Sequence, residues 1–197
     1  KYLENIEDSK KDKYQQNLKT IQKQIKQIEN LVNEFSDFAR MPKPLIKSNN
    51  LYEVITENIN LLNKIDSKIK IKLINHISKG VYANFDYEQF NRLFFNLIKN
   101  SIESIQEKAE KDNKTDKNID IEIRERRDYI IISILDTGTG FKNKTTKDLI
   151  RPYFTTKTKG TGLGLSIVDK IISDHNGSIN FINQKNGAKI QIIIPNK

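Results

Sequence analysis

From Tyr14 onward the apolar positions fall at Tyr14, Leu18, Ile21, Ile25, Ile28, Val32 and Phe35, in alternating steps of four and three, with Lys, Gln, Asn and Glu between them. That spacing keeps one stripe of a helix apolar and is the heptad seam of helices that pack along their length. Ser9 with Asp12 three residues on resembles a capping pair, and Pro42 and Pro44 stop the pattern. The sequence therefore predicts one long helix over about residues 10–40, with residues 1–8 as the tail of a preceding one. A lone amphipathic helix cannot hide its seam, so a cover is required. It is either the body of the same protein or another helix in a bundle or dimer, and the bundle is the preferred reading.

Residues 41–50, with two prolines and the tract Lys47-Ser48-Asn49-Asn50, read as a linker. They divide the chain into a helical segment over residues 1–41, a linker over 42–50 and a larger domain over 51–197. In that domain Leu51, Val54, Ile55, Asn58, Ile59 and Leu62 suit a helix, whereas Ile69, Ile71 and Leu73 alternate with lysines like a half-buried strand. Asp86 with Gln89 opens a helix that runs to about Gln106, and the polar stretch 107–118 reads as a surface connection. Strands are expected over 119–124 and 129–135, the second almost wholly apolar and so central. A polar loop, a helix over 163–173 and strands over 178–183 and 188–194 complete the chain. The expected fold class is α+β: a two-layer α/β sandwich with a mixed, largely antiparallel sheet and helices on one face, preceded by the long helical segment.

At 197 residues the chain has room for one cored domain with an appendage. The absence of cysteine excludes disulfides and thiolate metal sites. The longest apolar run, residues 129–135, is far shorter than the roughly 18 residues that cross a bilayer. The expectation is a soluble piece of a longer protein, making no membrane contact itself, whose parent can be membrane-bound. The net charge of +9 is spread over helices, loops and strand faces and not gathered in a stripe. It reads as solvated surface, with no nucleic-acid partner, and can also favour an anionic ligand such as a nucleotide.

Three elements carry candidate chemistry. Asp136-Thr137-Gly138-Thr139-Gly140 sets a carboxylate at the end of the central strand, where it can accept a hydrogen bond from an exocyclic amine, although Asp-x-Gly after a strand is often only a turn. Gly160-Thr161-Gly162-Leu163-Gly164 opens a helix and offers backbone amides suited to phosphate. It is not a strand-to-helix nucleotide loop, since no strand precedes it and no Gly-Lys-Ser/Thr element exists. The polar stretch 141–159 between the two glycine motifs reads as a lid. The third element, Asn96 to Ser104, puts Asn96, Asn100 and Glu103 on one helix face. An amide oxygen there is an acceptable Mg²⁺ ligand, and solvated surface is the plainer alternative.

In this order, with Phe154-Thr155-Thr156-Lys157 between the glycine motifs, the chain resembles the GHKL ATPase and kinase superfamily, and within it the sensor histidine kinases. The segment 95–104 resembles the N box, 136–140 the G1 box, 152–157 the F box and 160–165 the G2 box. The resemblance implies binding of ATP and Mg²⁺, with Asn100 as metal ligand and Asn96 beside it in the catalytic set. It implies that Asp136 recognises adenine, and that the nucleotide set also includes Lys99, Gly138, Gly140, Thr156, Lys157, Gly160, Thr161, Gly162, Leu163 and Gly164. In hydrolysing members the position of Asn96 is a glutamate acting as base on water. An amide cannot take that proton, which favours transfer to a protein acceptor.

The stretch Val32 to Pro42 resembles the second helix of the dimerisation and phosphotransfer bundle of NtrY-type nitrogen-regulation kinases. That implies a homodimer in the full-length protein, a response-regulator receiver domain as partner, and a cytoplasmic location as part of an inner-membrane sensor. The accepting histidine is expected upstream, so this segment is not expected to phosphorylate itself. The two histidines, His76 and His175, lack the neighbours of an acceptor. The alternatives are an ATP hydrolase or serine kinase of the same superfamily, and a non-catalytic ATP-sensing module.

Overall fold

The computed structural model describes residues 2–77, 80–112, 115–142, 144–155 and 160–196, with side chains of the first helix described from Lys13 except at positions 27, 30 and 37. Two compact units result, one of residues 1–41 and 155–161, the other of residues 42–154 and 162–197.

In the first unit a single helix, α1 (Tyr2–Ala39), replaces the expected break near Ser9. No glycine or proline occurs before Pro42, so nothing in residues 1–41 breaks the intrahelical ladder, and Ser9 is carried inside it. The ladder runs out where Pro42 has no amide to give. The seam positions Tyr14, Leu18, Ile21, Ile25, Ile28, Val32 and Phe35 are all exposed. Within the same unit the Thr161 hydroxyl donates to the Glu34 carboxylate.

The second unit begins earlier than the linker reading allows. Lys47–Asn50 form strand β1, which pairs antiparallel with β3 (Tyr82–Phe85), Lys47 opposite Phe85 and Asn50 opposite Tyr82. The ribbon escaped the hydrophobic pattern because main-chain bonds and a bond from Asn49 Nδ2 to the Phe85 carbonyl (2.7 Å) hold it, while β1 itself buries no side chain. Asn50 then caps α2 (Leu51–Asn63) by accepting from the Tyr52 amide, and the apolar positions read from the sequence are buried on it.

After β2 (Lys70–Asn75) and β3 comes α3 (Tyr87–Lys111), capped by Asp86. It runs past Gln106 into the stretch expected as a surface connection, where Glu107 and Lys111 form an i,i+4 ion pair. The remaining elements are β4 (Asn118–Arg126), β5 (Tyr129–Asp136), a short α4 (Thr146–Ile150), α5 (Gly164–Asp174), β6 (Ser178–Gln184) and β7 (Gly187–Pro195). The main sheet has the order β2-β4-β5-β7-β6. Among the described strands of this sheet, the β2–β4 pairing alone is parallel.

The central place of β5 explains its composition. Every second residue, Ile130, Ile132, Ile134 and then Asp136, belongs to the buried row, in register with Ile119, Ile121 and Ile123 of β4 and with Ala188, Ile190 and Ile192 of β7. Helix α3 lies between α2 and α5 over this sheet, with Phe90, Leu93, Phe94, Leu97 and Ile98 fully buried. Phe90 stacks on Phe85 at 4.4 Å between centroids and meets Phe94 edge-on at 6.0 Å.

Candidate functional site

The alternation that buries Ile130, Ile132 and Ile134 also turns Asp136 inward, so the row ends on a carboxylate that is only 6% exposed. Hydrogen bonds and a nearby positive charge steady it. The Gly138 amide donates to Oδ1 at 2.9 Å, the Ser101 hydroxyl of α3 donates to Oδ2 at 3.3 Å, and Lys108 supplies positive charge. Burial nevertheless dominates and raises the pKa of Asp136 above the ordinary carboxylate value, against the lowering effect of the Gly138 and Ala188 amides and Ser101. Such a group is a costly anion in isolation and a strong acceptor for a ligand donor that reaches it.

The loop after Asp136 is bound to α3 along a face that sequence reading passed over. Ser104 Oγ accepts from the Thr139 amide at 3.0 Å and lies 3.2 Å from the Thr139 hydroxyl, and Lys108 Nζ donates to the Thr137 carbonyl at 2.9 Å. Gly138 sits so close to Ser104 that a Cβ on it would overlap the serine hydroxyl. Ser101, Ser104 and Lys108, three and four apart, were the available signal: a polar stripe next to the asparagine face, inside a helix that is otherwise core. Gly187 was also missed. Its φ of +113° and the overlap of any Cβ with the Asp136 carbonyl oxygen leave room for glycine alone where β7 starts beside the carboxylate.

On the neighbouring face of α3, Asn96 and Asn100 are half-buried and stand against the start of α5. A Cβ at Gly164 would be 3.1 Å from Asn96 Oδ1 and 3.9 Å from Asn100 Nδ2. Asn96 Nδ2 donates back to the Arg92 carbonyl at 2.9 Å, which turns its oxygen toward α5. The N-cap of α5, Leu163, brings no side-chain cap, so this helix start is one where an anion can serve as the cap. Gly162, with φ +73°, lets the backbone of Tyr153 and Phe154 pass directly against it.

Residues 141–142 and 144–154 hold more structure than a bare loop. The Phe141 amide donates to Asn183 Oδ1 at 2.7 Å and its ring meets Phe181 edge-on at 5.4 Å, which ties the segment's start to the β6–β7 hairpin. Thr145 and Asp148 form a reciprocal capping box at the head of α4. Lys144 lies 5.3 Å from the Phe154 ring centroid, and Lys142 reaches Glu107 of α3 at 2.8 Å.

Of the residues singled out by sequence, the structure gathers Asn96, Asn100, Asp136, Gly138, Gly140, Gly162, Leu163 and Gly164 around α3 and the ends of β5 and α5 in one unit. Gly160 and Thr161 fall in the other unit, and Thr156 and Lys157 lie outside the described residues. Lys99 is on the exposed side of α3, 4.0 Å from Glu103 and over the Phe95 ring. No group of three or more His, Cys, Asp or Glu side chains suited to a metal occurs among the described residues, and no helix among them is long and apolar enough to cross a membrane. His175 is buried, with Nδ1 2.7 Å from the Ile171 carbonyl and Nε2 accepting from the Asp86 amide, so it has no nitrogen open to phosphate.

The family model described as histidine kinase-, DNA gyrase B-, and HSP90-like ATPase matches residues 85–197. The nitrogen regulation protein NtrY of Azorhizobium caulinodans is 34% identical over 160 residues, covering 81% of this chain and 20% of its own length. The chain thus spans about a fifth of that relative. Among solved structures, the catalytic domain of histidine kinase ThkA superposes with a TM-score of 0.66 at 28% identity, covering 77% of this chain and 95% of that one. ThkA in complex with the response regulator protein TrrA has a TM-score of 0.73 at 23% identity, covering 90% of this chain and 49% of that one.

Proposed function

Because the chain belongs to the histidine kinase-, DNA gyrase B- and HSP90-like ATPase family, we propose that it is the catalytic domain of a two-component sensor kinase, which binds Mg-ATP and passes the γ-phosphate to a histidine on an upstream helix. One observation carries the reading. Helix α3 is a shared wall, touched by Asp136 through Ser101 on one side and by the start of α5 through Asn96 on the other. An acceptor suited to adenine and a helix terminus suited to phosphate therefore face the same helix.

In this reading Asp136 accepts the exocyclic amine of adenine, and the backbone at Gly162, Leu163 and Gly164 lies along the phosphates. Asn100, with Asn96 beside it, fits Mg²⁺, a cation that takes oxygen donors and commonly only one or two from protein, so the lack of a carboxylate cluster among the described residues is no obstacle. When bound, the cation neutralises developing phosphate charge. Asn96 holds its oxygen toward α5 and has no basic site for a proton from water, which favours transfer over hydrolysis. The exposed seam of α1 supports a helical partner, a second copy of the chain in a dimer. The TrrA complex of ThkA supports a response-regulator receiver domain as the next acceptor. The reading places the chain in the cytoplasm, where ATP is supplied, as part of an inner-membrane sensor.

The test follows γ-labelled phosphate when the chain, extended upstream through a complete preceding helix, is incubated with Mg-ATP. The expected product is an acid-labile, base-stable label on the protein that is absent in Asn100→Ala. Label recovered only as free phosphate, or nowhere, overturns the proposal.

A further inference from the structure

We propose that Asp86 and His175 form a junction that couples residues 42–45 to both helices of the nucleotide site, so that this stretch of chain positions the site for transfer; the inference rests on the kinase reading above. Asp86 is 8% exposed and its polar atoms point three ways. Oδ1 accepts from the Gln89 amide at 3.0 Å and starts α3. Oδ2 accepts from the Leu45 amide at 2.7 Å, across 41 residues of sequence. Its own amide donates to Nε2 of His175 at 3.0 Å. Because Nε2 accepts, the ring proton is on Nδ1, where it is donated to the Ile171 carbonyl at 2.7 Å. His175 is the C-cap of α5, and Phe90 of α3 meets its ring edge-on at 4.8 Å. One aspartate thus joins the start of α3, the end of α5 and an incoming strand of chain.

Gln89 makes a second clamp on that strand. Its Nε2 donates to the Pro42 carbonyl at 3.0 Å, while its Oε1 is buried without a hydrogen-bond partner among the described residues. A buried amide with one end unsatisfied lowers stability, and a leucine would fill the space without that cost. The visible return for keeping it is the hold on Pro42. Residues 42 and 45 are therefore bonded to the first turn of α3, and β1 follows at once, paired to the strand that ends at Phe85. What sequence reads as a linker is in its first half a splint, bonded to the same helix that carries Asn96 and Asn100, and through His175 to the helix that begins at Gly164.

Phosphoryl transfer depends on presenting the γ-phosphate within fractions of an ångström, whereas nucleotide binding tolerates more. Loosening the splint should therefore lower the rate at saturating ATP and spare affinity. Asp86→Ser keeps a hydroxyl to cap α3 and has no second oxygen for Leu45. In the upstream-extended chain, this variant is expected to exchange the Leu45 amide hydrogen about tenfold faster than wild type, to bind ATP within about twofold, and to transfer phosphate about tenfold more slowly at saturation. Gln89→Leu, which leaves the cap untouched, is expected to slow transfer in the same way with an undiminished melting temperature, and it decides the matter if Asp86→Ser does not fold. A Leu45 amide that exchanges as in wild type, or a loss confined to ATP affinity and melting temperature, overturns the coupling. If the wild-type chain transfers no label, the kinase reading is what fails. The coupling then stands if saturating ATP slows Leu45 exchange in wild type but not in Asp86→Ser, and falls if ATP leaves that exchange unchanged.

Discussion

Asp136→Asn separates the folding role of the buried carboxylate from its binding role. The substitution keeps size and shape and removes the charge that burial opposes, since desolvation is the largest influence on this group. The amide oxygen can still accept from the Gly138 amide at the present 2.9 Å, and the Ser101 hydroxyl, now facing an NH₂ group, can rotate from donor to acceptor. The bonds to Gly138 and Ser101 survive and the charge that burial opposes is gone, so the melting temperature should stay within about 3 °C of wild type. Binding is different. The ligand amine meets a second donor where it met an acceptor, and one charge-assisted hydrogen bond of about 1.5–3 kcal/mol is lost. That corresponds to roughly 10- to 150-fold weaker ATP binding. GTP, which offers an acceptor at the equivalent position, should gain relative to ATP. Calorimetric titration with ATP and GTP, beside thermal denaturation of the same samples, reads both quantities. An ATP affinity within about threefold of wild type and an unchanged ATP:GTP ratio, in a variant that is folded, would refute the assignment of Asp136 to the base.

Asn100→Ala should weaken ATP binding about tenfold in Mg²⁺ and little in EDTA, the size of one lost charge-assisted contact, and an equal loss in both titrations would count against a metal role. Gly187→Ala forces a Cβ into the Asp136 carbonyl at φ +113° and should cost about 3 kcal/mol or more, read by urea denaturation. The raised pKa of Asp136 gives a pH dependence of defined sign: its favourable contribution to stability is full below the unfolded value near 3.8 and is lost as pH rises through the higher folded value. If Asp136 accepts from the base as proposed, ATP binding should weaken on acidification before an ordinary carboxylate would titrate, and in Asp136→Asn that component should disappear. Glu107 runs the other way, held low mainly by hydrogen bonds from Lys142 and Lys111, so its stabilisation is present above about 4.5 and lost as pH falls through the lower folded value. A charge-removing Lys142→Gln should flatten that part of the acid denaturation curve.

Periodicity was enough to find the elements that bury an apolar face. The Leu51–Leu62 spacing, the Asp86 cap and the near-continuous apolar run of β5 were all legible, because each is a direct consequence of packing against the sheet or within it. What periodicity lost was held by other forces. β1 is polar and survives on backbone pairing and Asn49, so it looked like linker. The helical break expected at Ser9 rested on a capping pair, and capping side chains signal a start only where something else ends the preceding helix. In the candidate site, Asn96, Asn100 and Asp136 stood out because their residue types carry chemistry, whereas Ser101, Ser104, Lys108 and Gly187 hold Asp136 and the loop after it in place and look ordinary one at a time.

Helix α3 explains why so much of the site depends on one element. Its apolar face, from Phe90 to Ile105, is locked into the core, which makes the helix a rigid reference. Three separate features are then set out from that reference: the serine and lysine stripe that fixes the loop after Asp136, the asparagine face against Gly164, and the Asp86 end that grips Leu45 and His175. A substitution inside the apolar face therefore reaches all three. Phe90→Ala, which removes the ring packed on Phe85, Phe94 and His175, carries the usual cost of about 3–5 kcal/mol for such a truncation. It also withdraws the support of the Asp86–His175 junction. Asp86→Ser leaves the ring in place and cuts one bond. If α3 acts as one rigid reference, Phe90→Ala must lower both ATP affinity and transfer rate, whereas Asp86→Ser must lower the rate alone, and the two patterns measured on the same chain distinguish a shared scaffold from a set of independent contacts.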